Sequence, residues 1–355
     1  VNNKQILIYG AYGYTGELIA RQAVAQGLKP ILSGRSAAKL QPLANELGLP
    51  AIVVSLDDQD TLVRTLQGVA VVIHCAGPFS ATAEPMMRAC IASGTHYQDI
   101  TGEMAVYQQA HGLDAEAKAA GVVLCPGTGF DVIPTDCLAA ALHKTMTNAT
   151  HLTLGFDSDS GFSPGTAKTS IESLGVGGAM RRNGKIEVIP HAELTRKINF
   201  GRGEKFAVAI PWGDVATAYY STEIPNIEVY IPMSPRRAKK MQRMNAFRWL
   251  LGMGWVQNWL KGKVEKSVRG PTENQRAEQQ TWVWGEVRND RRGERRVGRV
   301  VTANGYDVTV HGSLAVMQHL LAYTGDGGYF TPSRLCGPEL VEKLPGSGAI
   351  TIGID

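Results

Sequence analysis

The apolar run Gln5-Ile6-Leu7-Ile8-Tyr9 enters Gly10-Ala11-Tyr12-Gly13-Tyr14-Thr15-Gly16 and continues as a helical stretch from Glu17 to Gly27. A strand that turns through glycines into a helix opens a nucleotide-binding βαβ unit, and this constrains the fold more than any other part of the chain. The glycines have separate tasks: Gly10 permits the tight turn, Gly13 removes a Cβ where a pyrophosphate approaches, and Gly16 lets the helix pack on the sheet. The N–H groups of the new helix face the phosphates, with its dipole favouring negative charge. Tyr12, Tyr14 and Thr15 belong to the same loop and are candidate cofactor contacts.

The spacing is G-x-x-G-x-x-G rather than G-x-G-x-x-G, so the surrounding sequence has to support it. The next apolar run, Pro30–Ser33, ends in Gly34-Arg35-Ser36, where an NAD-type site places an acidic residue on the ribose 2′-hydroxyl. Arg35 and Ser36 suit a 2′-phosphate instead, which predicts NADP. The alternative is an ordinary turn with a solvated arginine.

Through residue 125, strands alternate with amphipathic helices: Gln5–Tyr9, Pro30–Ser33, Ala51–Val54, Ala70–Cys75, Tyr97–Ile100 and Val122–Cys125. Six such strands predict an α/β fold with a Rossmann-type doubly wound parallel sheet in the order 3-2-1-4-5-6, over residues 1–130. Asp57 or Asp58 is placed to cap the helix around 60–66. After Phe130 the pattern changes. A helix over Cys137–Lys144 precedes β-like runs at His151–Phe156, Thr195–Asn199, Phe206–Ile210, Asn226–Pro232, Thr281–Arg288, Arg296–Ala303 and Tyr306–Val310. These predict a second, α+β domain on a mixed or antiparallel sheet, over 131–312, serving substrate binding and oligomerisation. Ala303-Asn304-Gly305 reads as a hairpin-like turn. The last helical runs, Ser313–Tyr323 and Arg334–Leu344, could pack back on the first domain.

A chain of 355 residues exceeds what one core usually serves, which agrees with two domains. Cys75, Cys90, Cys125, Cys137 and Cys336 lack metal-ligand spacing and read as thiols of a reducing compartment. With no signal-like start and no span-length apolar run, the expected location is cytoplasmic, at most membrane-peripheral. The eight histidines form no metal-like pair, and no metal is expected. Nothing in the sequence carries a nucleic-acid-binding signature.

Several stretches together resemble the saccharopine dehydrogenase-like oxidoreductases. They are the Gly10–Gly16 loop, Gly34-Arg35-Ser36, Cys75-Ala76-Gly77-Pro78-Phe79, the run from His96 to Glu103, Pro126-Gly127-Thr128-Gly129-Phe130-Asp131 with Pro134-Thr135-Asp136, and the run from Gly270 to Ala277. The chain looks more like the branch that includes the lipid-droplet saccharopine dehydrogenase-like proteins and the trans-acting enoyl reductases than like the amino-acid enzymes of the family. The resemblance implies an NADP(H)-dependent oxidoreductase that moves a hydride to or from a carbonyl, enoyl or imine-type substrate. The alternative is a non-catalytic NADP(H)-binding scaffold or sensor associated with lipid.

Hydride transfer needs the substrate placed beside the nicotinamide and one proton managed. Ala76, Gly77, Pro78 and Phe79 close the fourth strand, at the carboxyl edge where ligands settle, and are expected to approach the cofactor. Asp99, Glu103, Asp131 and Asp136 could border one cleft; Glu103 and Asp131 are the candidate catalytic carboxylates. Each has a structural alternative, as a loop acceptor, a helix cap or a first-turn charge. Cys75 lacks a neighbouring base in sequence and is not expected to act covalently.

Ten Lys or Arg stand against the single Glu265 between Arg236 and Arg269, a local excess of +9 in a chain of net +4. Met241, Met244, Phe247, Trp249, Trp255 and Trp259 lie among them. The reading is either peripheral membrane contact through 236–269 or a helical hairpin packed on the second domain or on a homodimer partner. Both readings place this segment over an apolar cavity, which favours a bulky hydrophobic substrate.

Overall fold

The computed structural model describes residues 4–160, 171, 174–267 and 270–353. They form two units, one of residues 1–133 with 306–340 and one of residues 134–305 with 341–355.

The first unit is built on β1 (Gln5–Tyr9), β2 (Ile31–Gly34), β3 (Ala51–Val53), β4 (Val69–His74), β5 (His96–Asp99) and β6 (Val123–Cys125). Leu7, Ile8, Leu32, Val71, Val72 and Ile73 are fully buried, as parallel strands covered by helices on both faces must be. The sheet is parallel with the order β3-β2-β1-β4-β5-β6, as the alternating pattern predicts. Asp58 caps the helix Gln59–Leu66, accepting from the Thr61 N–H at 3.0 Å. The neighbouring strands β1 and β4 lie at the point where the strand order reverses, and their carboxyl ends flank the crevice in which such sheets hold ligands.

The late segments depart from the sequence reading. Tyr306–Val310, read as a strand, is the first turn of a long helix, Gly305–Ala322, and Ala303-Asn304-Gly305 is the junction into it rather than a hairpin. β-branched Val308, Thr309 and Val310 suggested a strand, but Val310, Leu314, Met317 and Leu320 repeat at helical spacing and are buried together. Tertiary burial overrode local propensity here. The chain then adds a seventh parallel strand, β15 (Gly328–Tyr329), beside β6. The run read as the helix Arg334–Leu344 is a short helix, Pro332–Cys336, followed by a 3₁₀ turn, Pro338–Lys343.

The second unit carries β7 (His151–Ser158), β8 (Gly178–Arg182), β9 (Lys185–Ile189), β10 (Thr195–Asn199), β11 (Glu204–Ala209), β12 (Asn226–Pro232), β13 (Gln280–Asn289), β14 (Glu294–Ala303) and β16 (Thr351–Gly353). Among the described residues they form a mixed sheet ordered β10-β11-β12-β7-β13-β14-β16, with the β8–β9 hairpin attached to β12. Among the described residues only the β12–β7 pair of this sheet is parallel. The β8–β9 hairpin, missed in the sequence, turns at Asn183-Gly184, both with positive φ. Gly285 and Gly298 face each other across β13 and β14. A Cβ on either would come within 2.8 Å of a Leu142 or Leu138 methyl, so the glycine pair forms the notch in which the helix Ile133–Thr145 rides. Glu286, 2% exposed, is held by both Arg196 guanidinium contacts at 2.8 Å and by Arg295 at 2.5 Å.

Candidate active site of the first unit

The Gly10–Gly16 loop leaves β1 and becomes the helix Tyr14–Ala25. Gly10 has φ +79°, and a Cβ there would sit 2.8 Å from Ala76 Cβ, so the loops that follow β1 and β4 touch through this residue. At Gly16 a Cβ would meet the Gly10 carbonyl at 2.4 Å. Both are close approaches of the kind assigned to them from sequence. Gly13, at the N-cap, offers no side chain, and no other side chain caps this helix end. An uncapped N-terminus behind a glycine is suited to an anion such as a pyrophosphate.

Gly34 ends β2, and the Tyr12 ring lies where its Cβ would be, 2.5 Å from Cε1. Arg35 is exposed and forms no ion pair among the described residues. Ser36 is the N-cap of the helix Ala37–Leu47 without giving it a side-chain bond, so its hydroxyl is not spent on capping. A concavity of about 310 Å³ runs beside this turn, lined by Tyr12, Lys39, Pro42, Glu46 and the Glu17–Arg21 pair. Lys39, one turn past Arg35, is a second cation that the sequence reading passed over because it lies inside the helix.

The turn after β4 is held by Glu103 and by Thr82. Both Glu103 carboxylate oxygens accept backbone N–H groups at the start of the helix Phe79–Ser93, from Phe79 at 2.9 Å and Ser80 at 2.7 Å. Thr82 Oγ1 lies 2.7 Å from the Ala76 carbonyl and 3.1 Å from His74 Nε2. His74 is wholly buried, and burial pushes its pKa down to about 3, so it stays neutral. The Gly77–Pro78 peptide is cis. Cys75 has its thiol pushed well up by burial, the opposite of an activated nucleophile.

Asp99, at the end of β5, fastens the next two turns together. It accepts from Tyr97 Oη at 2.6 Å, Gly127 N at 2.8 Å and Thr101 N at 3.0 Å. Burial raises its pKa to about 6 while these donors pull the other way. Thr128 N adds a bond to the Asp99 carbonyl at 2.7 Å. Asp99 is thus an acceptor with its oxygens occupied, the structural alternative considered for it.

Asp131 is different. Its carboxylate lies against Gly102, where a Cβ would meet Oδ2 at 2.4 Å, and it has no hydrogen bond or ion pair among the described residues. It keeps partial solvent access, and desolvation raises its pKa from 3.8 to about 7. An unpaired carboxyl titrating near neutrality can give or take a proton; Glu103, committed to two N–H groups, supports the turn beside it.

Two further contributors come from the late helix. Tyr306 meets Tyr14 edge-on at 5.1 Å between ring centroids, and Thr309 Oγ1 accepts from Phe130 N at 3.0 Å. The helical repeat from Val310 to Leu320 was the signal that could have found them. Asp136, the fourth carboxylate, belongs to the second unit, where it is buried and accepts from Ser221 Oγ. The second unit has its own concavity of about 400 Å³, which includes Arg182, Glu228 and Arg288. Its arginines are already paired, Arg182 with Glu187 and Arg288 with Asp290, as Arg21 of the smaller hollow is with Glu17 and Glu46.

The stretch that carries the glycine turn, the uncapped helix and Arg35 lies within a match to a known domain family. Residues 6–125 match the saccharopine dehydrogenase NADP binding domain. The first unit therefore resembles an NADP-binding domain in sequence as well as in geometry. Among curated relatives, the mouse saccharopine dehydrogenase-like oxidoreductase is 29% identical over 204 residues, 50% of this chain and 47% of its own length. The trans-acting enoyl reductase of Mycobacterium leprae is 31% identical over 149 residues, 40% of this chain and 36% of its own. The chain thus spans about half the length, or less, of the curated relatives it matches. Of the solved structures, saccharopine dehydrogenase (L-Glu forming) from Saccharomyces cerevisiae aligns with TM-score 0.69 at 12% identity, over 99% of this chain and 100% of that one. Homospermidine synthase from Legionella pneumophila, in complex with NAD, aligns with TM-score 0.67 at 10% identity, over 99% of this chain and 91% of that one. At such identities these two alignments speak for the fold alone.

Proposed function

We propose that the chain is an NADP(H)-dependent oxidoreductase in which Asp131 handles the proton that accompanies hydride transfer. The carrying observation is the Asp131 carboxyl, pressed on Gly102 without a partner, in the unit that also holds the uncapped glycine-turn helix and Arg35. NADPH, when bound, would supply a hydride with its two electrons to an electrophilic carbon of the substrate. Asp131 then gives its proton to the carbonyl oxygen, imine nitrogen or enolate carbon left behind, and regains it from solvent; the reverse direction uses the carboxylate as base. Arg35 and Ser36 hold the 2′-phosphate, the first turn of the helix Tyr14–Ala25 receives the pyrophosphate, and Glu103 keeps the Ala76–Phe79 turn in place. The likeness to proteins named trans-acting enoyl reductases supports an enoyl compound among these substrate classes.

A second reading, a cofactor-holding scaffold without turnover, draws support from the commitment of Glu103 to backbone N–H groups, which leaves one candidate acid. Single-turnover oxidation of NADPH against a panel of apolar carbonyl, enoyl and imine compounds separates the two. Binding of NADPH without oxidation by any class would refute the enzyme reading.

A further inference from the structure

The helix Pro235–Met244 is fixed on one side only. Ala238 and Met241 pack on Val208, Phe206 and Ile231 of the second unit, while Arg236, Arg237, Lys239, Lys240 and Arg243 project into solvent. None of these five cations forms an ion pair among the described residues, and no Asp or Glu occurs from Val229 to Val264. The chain continues through a 3₁₀ turn, Asn245–Phe247, and the helices Arg248–Leu251 and Gly254–Ser267. Here Phe247 is 62% exposed, Trp249 67%, Trp255 70% and Trp259 58%. An internal hairpin would have buried these rings. The segment is nonetheless held in place: Asn245 exchanges two hydrogen bonds with the His191 backbone, at 2.8 and 3.1 Å, and Gln257 bonds the Leu251 carbonyl at 2.6 Å.

We propose that this face, residues 235–260, is a docking surface for a membrane whose headgroups are anionic, with the tryptophans at the headgroup boundary and the cations on the phosphates. Charge selects this occupant. A second copy would bring five unpaired cations against five more, which like-charge repulsion opposes, whereas an anionic bilayer matches both the cations and the amphipathic indoles. No helix among the described residues is long and apolar enough to cross a membrane, so the contact is one of lying on the surface. Residues 268–269 and the side chains of Lys261 and Lys266, included in the basic segment read from sequence, lie outside those described.

The test is flotation of the full chain with phosphatidylcholine vesicles, either alone or carrying about 40% phosphatidylglycerol, at low and high salt. Binding is expected only to the anionic vesicles, with loss at high salt. Each basic residue near such a surface contributes about a fivefold factor, so combining Arg236→Gln, Arg237→Gln, Lys239→Gln and Lys240→Gln should weaken partitioning by at least ~100-fold. Trp249→Ala, Trp255→Ala and Trp259→Ala combined, all at exposed positions, should abolish the vesicle-dependent blue shift of tryptophan fluorescence while leaving NADPH affinity unchanged. Absence of binding to anionic vesicles at low salt overturns the proposal. So does a dimer, seen by light scattering, that the tryptophan variant dissociates while vesicles remain unbound. Tight binding of an RNA oligonucleotide in place of vesicles overturns it as well.

Discussion

Replacing Asp131 with Asn removes one ionisable group and little else, since the two side chains are nearly isosteric and Asp131 has no partner to lose. In the folded chain the carboxyl titrates near pH 7 rather than 3.8 because burial disfavours its charge. Its folded pKa is therefore raised, and between these values the folded state binds more protons than the unfolded one, so stability falls as pH rises. The penalty is absent below about pH 4, grows between about 4 and 7, and is complete above 7. The displacement corresponds to about 4 kcal/mol at most, and partial solvent access reduces this to about 1–3 kcal/mol. Asp131→Asn should thus be more stable than the parent chain by about that amount at pH 8 and equal to it near pH 4. Urea unfolding at a series of pH values, compared at constant m, measures the difference. A difference that does not change with pH would mean that the Asp131 carboxyl titrates in its ordinary range, and the general acid would have to be sought elsewhere. In single turnover with a reactive substrate, the same variant should lose about 10²–10⁴ in rate, the usual contribution of a positioned proton donor.

Arg35→Ala should weaken NADPH by about ten- to a hundredfold, the value of a charge-assisted bond of about 1.5–3 kcal/mol, while NADH binding stays nearly unchanged. Equal losses in calorimetric titration would make Arg35 a general support and remove the argument for NADP. Glu103→Gln keeps one acceptor for the Phe79 and Ser80 N–H groups but loses the charge; a cost of about 1–2 kcal/mol in thermal unfolding and a higher KM for cofactor are expected, with the hydride step slowed less than about tenfold. A hydride step slowed as much as by Asp131→Asn would instead return Glu103 to the role of proton donor. Gly10→Ala forces a Cβ into φ +79° and to within 2.8 Å of Ala76, at a cost of about 2–4 kcal/mol from strain and overlap together. Calorimetry should show a lower Tm and lost NADPH affinity; a variant with both unchanged would mean that the loops do not depend on this contact.

Strand order in the first unit was legible because both of its causes are local. Apolar runs such as Gln5–Tyr9 and Val69–His74 alternate with amphipathic helices, and parallel strands joined that way have few topologies open to them. Gly10 and Gly16 were legible for the same reason, since a tight turn and the helix that follows it are short-range features. The segment 306–310 was not: its Val-Thr-Val run has strand propensity, and only burial of Val310, Leu314 and Met317 in the first unit makes it a helix. Sequence could name Asp99, Glu103 and Asp131 as carboxylates near strand ends but could not tell them apart. Donors brought in from other turns occupy Asp99 and Glu103, whereas Asp131 lies against Gly102 with no hydrogen bond or ion pair among the described residues. A carboxyl's chemistry is set by desolvation and by its partners, and both depend on which distant residues the folded chain brings beside it.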